Sequence, residues 1–111
     1  MFEKDMNIGL LLDFYGDILP ERKRCVMDMY YNEDLSLAEI ASEIGISRQG
    51  VRDIIKKSTE ELFFYEEKLG LAARLASVRL HAEHLTSLAA EQGLPDELTR
   101  EIDELLRLVT E

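Results

Sequence analysis

Six residues near the middle of the chain have the types and spacing suited to gripping a nucleic acid. Arg48, Arg52, Lys56 and Lys57 place four positive charges on one stretch against a single acid, Asp53, with Ser47 and Gln49 adding hydrogen-bonding side chains at its start. Lys and Arg neutralise phosphates, and Arg and Gln can hold a base edge through paired hydrogen bonds. Ser47, Arg48, Gln49 and Arg52 are therefore candidate base or phosphate contacts, and Lys56 and Lys57 candidate phosphate contacts. A second basic group, Arg22-Lys23-Arg24, would enlarge the footprint if it faced the same way. The same charges also suit RNA, an acidic partner or a plain solvated helix face.

Other chemistry is sparse. His81 and His84 flank Glu83 three residues apart, a spacing that places both imidazoles on one helix face as a metal would need, but no further ligand is close in sequence, so they read as surface histidines. Cys25, the single cysteine, has no partner for an internal disulfide or a cysteine metal site, and no nearby histidine to ionise it. There is no glycine-rich dinucleotide motif, P-loop or nucleophile elbow. The expectation is no metal, no cofactor and no enzyme activity.

The elements that must position the basic residues are helices. Two prolines and six glycines in 111 residues leave little turn punctuation, and no segment alternates like a strand. Ile8, Leu11, Leu12 and Tyr15 recur at helical spacing in Met6 to Tyr15. A second helix over Glu21 to Tyr31 begins near Pro20, with Cys25, Val26, Met29 and Tyr30 on its apolar side. Ser36 and Glu39 form a capping box for a third, whose apolar positions are Leu37, Ile40, Ala41 and Ile44. Gly45 stops it, Ser47 caps a fourth with Val51, Ile54 and Ile55 inward, and the register runs on through Leu62, Tyr65 and Leu69. Phe63, Phe64 and Tyr65 after the recognition helix offer either an exposed docking surface or, as is usual for aromatic residues at the end of a core helix, buried side chains, and burial is the expectation.

Leu37 to Lys57 meets the demands of a helix-turn-helix. Two steeply crossing helices need a small residue where they touch, Ala41, and a turn residue tolerant of positive φ, Gly45. Ser47, Arg48, Gln49 and Arg52 then stand at the exposed start of the second helix, the place of a recognition helix. Gly50, three residues into that helix, costs about 1 kcal/mol of propensity relative to Ala.

Beyond Gly70, Leu71, Leu75, Val78, Ala82, Leu85 and Ala89 are spaced four and three apart, a heptad-like seam. Gly93 and Pro95 make a turn, and Leu98, Ile102, Leu105 and Val109 repeat the spacing. Residues 71–111 are expected to form an antiparallel hairpin and, with so small a core, a homodimer. The fold expected is all-α: a helix-turn-helix bundle over 1–70 followed by this C-terminal hairpin.

Ile18-Leu-Pro-Glu-Arg-Lys-Arg24, Asp34-Leu-Ser-Leu37 and the helix-turn-helix together resemble the fourth region of bacterial sigma factors, which reads promoter DNA. Asp13-Phe-Tyr15, Tyr30-Tyr31, Leu35-Ser-Leu37, Glu39-Ile-Ala41, Ser47-Arg-Gln49 and Tyr65-Glu-Glu-Lys-Leu69 resemble the YlxM family of small, acidic, sigma-like bacterial proteins, over about residues 5 to 70. That resemblance implies a bacterial protein of the cytosol and a part in the signal recognition particle pathway, with the particle's protein, receptor or RNA as partners.

The net charge of −10 cuts across the DNA reading, because DNA is a polyanion. Neither half of the chain is basic. The start of the chain lacks the basic flank and apolar core of a signal peptide, and no run is long enough for a membrane span, so a cytoplasmic protein is expected. Two readings stand: a DNA-binding helix-turn-helix regulator, and a protein or RNA adaptor of the signal recognition particle machinery with little DNA affinity.

Overall fold

Capping chemistry sets the helix boundaries where it is strongest. Ser36 Oγ accepts the Glu39 N–H at 3.1 Å and Glu39 Oε1 accepts the Ser36 N–H at 3.0 Å, which starts α3 (Leu37–Ile44). Before it stand α1 (Met6–Tyr15), a 3₁₀ turn (Gly16–Ile18) and α2 (Glu21–Tyr31); after it come α4 (Arg48–Leu69), α5 (Leu71–Gln92) and α6 (Asp96–Thr110). The computed structural model describes residues 6–110, and among these there is no strand. The chain is all-α. None of the described helices is long and apolar enough to cross a membrane.

Contacts divide the chain into two units, Met1–Gly70 and Leu71–Glu111. In the first, α4 is the spine, with α1, α2 and α3 packed around it. Its inward row of Val51, Ile55, Ser58 and Leu62 is buried along with Leu11, Leu12 and Tyr15 of α1, Val26, Met27 and Tyr30 of α2, and Ile40 and Ala41 of α3. Ser58 is the one buried polar side chain among the described residues, and its hydroxyl donates to the Ile54 carbonyl at 2.7 Å. A small, internally bonded side chain there lets a neighbouring helix approach closely.

The inward face of α2 differs from the sequence expectation. Met27 is buried, while Cys25 and Met29 are half-buried. The cause is that α2 packs on both α3 and α4, so its covered arc centres on Tyr30 and takes in Val26, Met27 and Lys23.

In the second unit α5 packs on α6. Gly93, at φ 60°, turns the chain, and the Leu94 N–H reaches back to Ala89 O at 3.2 Å. The expected seam is only partly covered. In α5 the buried residues are Ala72, Ala82 and Ala89; Leu71, Val78 and Leu85 are exposed, and α6 has no buried residue at all. Two helices can bury only the line along which they touch, and alanines occupy that line.

Candidate nucleic-acid interface

The turn that presents α4 depends on Gly45. It caps α3 at φ 73°, in the left-handed region that costs other L-residues about 1–2 kcal/mol. From there the N–H groups of Gly45 and Ile46 both reach Ala41 O, at 2.9 and 3.1 Å, so the chain leaves α3 in one fixed direction. Ser47 follows as N-cap of α4, its Oγ accepting the Gly50 N–H at 3.0 Å. A Cβ on Gly50 would lie 3.2 Å from Ile46 Cδ1 and 3.3 Å from Ser47 Oγ, so the tight turn accounts for a glycine that helix propensity disfavours.

Arg48, Gln49, Arg52, Lys56 and Lys57 are all exposed. At about 100° per residue, Arg48, Arg52 and Lys56 fall within an arc of about 80°, one turn above the next, roughly a quarter turn from the buried row. Lys57 lies about 100° further round than Lys56 and stands outside this ridge. Gln49 Nε2 donates to Asp53 Oδ1 at 3.0 Å, which holds the amide beside the ridge and occupies the one acid near it. Ser47 is engaged through its oxygen, leaving its O–H to donate outward.

The ridge differs from four other basic residues of the chain in its freedom. Lys23 pairs with Glu61, Arg24 with Asp17 at 2.9 Å, Arg79 with Glu83 at 3.7 Å and Arg107 with Glu104. None of Arg48, Arg52, Lys56 or Lys57 has a carboxylate within 4.0 Å. The second basic group therefore adds little to a footprint, because two of its three members are bound to acids of their own unit. That pairing was hidden in the sequence, where Lys23 and Glu61 are 38 residues apart.

Phe63 and Phe64 are exposed, against expectation. The row from Val51 to Leu62 already fills the inward face, and these two follow on the outside, where Lys68 Nζ stands 5.7 Å from the Phe64 ring centre. His81 and His84 are exposed on α5, and among the described residues no three His, Cys, Asp or Glu side chains gather into a metal site.

Comparison with known proteins gives a consistent picture. The model of the UPF0122 family, described as "Putative helix-turn-helix protein, YlxM / p13 like", matches residues 2–104. A UPF0122 protein of Clostridium perfringens is 40% identical over 105 residues, 94% of either chain. One from Listeria innocua is 36% identical over 107 residues, covering 96% of this chain and 97% of its own, and one from Clostridium kluyveri is 52% identical over 69 residues, 62% of each. Similarity thus runs well past residue 70 through α5 and half of α6. The resemblance drawn from residues 5 to 70 was too short, because a heptad pattern of Leu and Ala has no distinctive residue to mark it.

Proposed function

The chain belongs to the UPF0122 family of helix-turn-helix proteins, and from that premise we propose that it is a cytoplasmic, non-enzymatic regulator that binds DNA through the first half of α4. The observation that carries this reading is the unpaired basic ridge of Arg48, Arg52 and Lys56 at the exposed start of a helix fixed by Gly45 and Ser47. In a protein of net charge −10, three cations stacked on one helix face without acids, while Lys23, Arg24, Arg79 and Arg107 are paired, suit an external polyanion.

The small footprint bears on selectivity. At physiological salt, charges beyond about 8 Å are largely screened, so distant acids do little against a phosphate in contact with the ridge. With so few cations there, sequence-independent binding is weak, and affinity rests on the fit of Arg48, Gln49 and Arg52 to base edges, with Ser47 and Lys56 on phosphates.

The second reading, an adaptor for the signal recognition particle's protein, receptor or RNA, is favoured by the same overall acidity. A titration of labelled DNA from the gene's own upstream region, with particle RNA and particle protein in parallel, separates the two. DNA binding that saturates, weakens with salt and is lost in R48A/R52A supports the regulator. Binding to the particle alone, unaffected by R48A/R52A, overturns it.

A further inference from the structure

The C-terminal hairpin leaves several large apolar side chains uncovered. Val78 and Leu85 on α5, and Leu98 and Leu105 on α6, are each seven residues apart and 37%, 45%, 50% and 43% exposed. With Ala82 and Ala89 on the α5–α6 line, helical geometry turns these four side chains to one common face of the antiparallel pair, flanked by half-buried Ile102 and Val109. By the same spacing Arg74 on α5 and Glu101 on α6 border it, within about 40° of the nearest leucine.

We infer that this face is covered by the same face of a second copy, so that two hairpins close a four-helix bundle and the protein is a homodimer. Four features select that occupant. The seven-residue spacing on both helices is the repeat of knobs-into-holes packing in such bundles. An α5 of 22 residues beside an α6 of 15 presents on the order of 550 Å² in projection, and a corrugated surface of that footprint approaches the roughly 800 Å² per partner of a stable interface. A mainly apolar face bordered by Arg74 on one helix and Glu101 on the other can complement itself under two-fold symmetry. Finally, α6 is acidic, with five Asp or Glu against Arg100 and Arg107, whereas α5 balances Arg74 and Arg79 against Glu83 and Glu91. Laying α5 of one copy over α6 of the other avoids setting acid against acid.

The inference does not depend on DNA being the ligand. Sedimentation equilibrium of the full chain across the micromolar range is expected to give twice the 12.8 kDa of one chain. L85A/L105A keeps good helix formers in place and should raise the dimer Kd at least about a hundredfold with helix content unchanged. L80A, which removes the most exposed leucine of α5 from the opposite side, should leave it unchanged. Should L85A/L105A lose helix, isotope-filtered NOEs on the unaltered protein decide, with contacts expected between the Leu85 methyls of one copy and the Leu98 or Leu105 methyls of the other. A single-chain mass throughout, a Kd unmoved by L85A/L105A, or intermolecular contacts confined to residues 1–70 would overturn the inference.

Discussion

The hydroxyl of Tyr15 donates to Glu66 Oε1 at 2.6 Å, tying the last turn of α1 to the last turn of α4 across 51 residues of sequence. Tyr15 is almost wholly buried, and its ring lies 6.0 Å from that of Tyr65. The helix that presents Arg48 at one end is thus tied to α1 at the other. Its length, 22 residues, is what lets one element serve both purposes.

Y15F removes the donor and leaves a part-buried carboxylate short of one bond, so it should cost about 1.5–3 kcal/mol of stability. Y15A also leaves a cavity and should cost about 3–5 kcal/mol. Urea unfolding of both variants checks the pair. A Y15F protein as stable as the parent would show that Glu66 contributes nothing through this bond.

Gly45 has nothing within 4 Å of the place a Cβ would occupy, yet sits at φ 73°. Its cost of replacement is therefore conformational and not steric. G45A should destabilise by about 1–2 kcal/mol, and G45N by less, since Asn tolerates the left-handed region. Equal losses for the two would point to an unseen steric conflict.

Glu39 accepts the Ser36 N–H and bonds to Ser36 in return, which holds its carboxyl below the usual range, against a small opposing effect of desolvation. A carboxylate depressed in the folded state contributes stability that is present above its unfolded pKa and lost as pH falls through the folded value. An NMR titration should find Glu39 below the ordinary glutamate range, and S36A, which removes the side-chain bond but keeps the backbone N–H, should raise it part of the way back. Acid unfolding of the S36A protein should correspondingly lose part of its steepness in that window.

How much of this was legible in the sequence depends on whether the deciding contact was local. The Ser36–Glu39 box, the Gly45 stop, the Ser47 cap and the inward run of Val51, Ile55 and Leu62 are set within a few residues, and each stands where its chemistry puts it. Met27 was missed because the covered side of α2 is decided by two partner helices at once. Phe63 and Phe64 were misplaced because aromatic character says nothing of which side of α4 is already full. The Leu85 and Leu105 rows look like core by spacing, yet a hairpin of two helices has only one line of contact and Ala82 and Ala89 hold it. For the ridge, sequence supplied the residues but not their freedom, since Lys23 and Arg24 look as available as Arg48 until Glu61 and Asp17 are located.

Lys56 and Lys57 are neighbours with the same charge, and the structure separates them. Lys56 continues the line of Arg48 and Arg52, while Lys57 points about 100° away. If the ridge follows a phosphate backbone, K56A should remove one phosphate contact, lowering the slope of log K against log salt by about 0.9 and weakening binding at every DNA sequence alike. K57A should leave that slope within error of the parent. R48A should instead cost about 1–3 kcal/mol and relax discrimination at one base pair, if its guanidinium holds a base edge. Anisotropy titrations of the three variants at several salt concentrations measure all of this together. Equal slopes lost from K56A and K57A would mean that α4 lies across the nucleic acid in a different orientation from the one its exposed row defines.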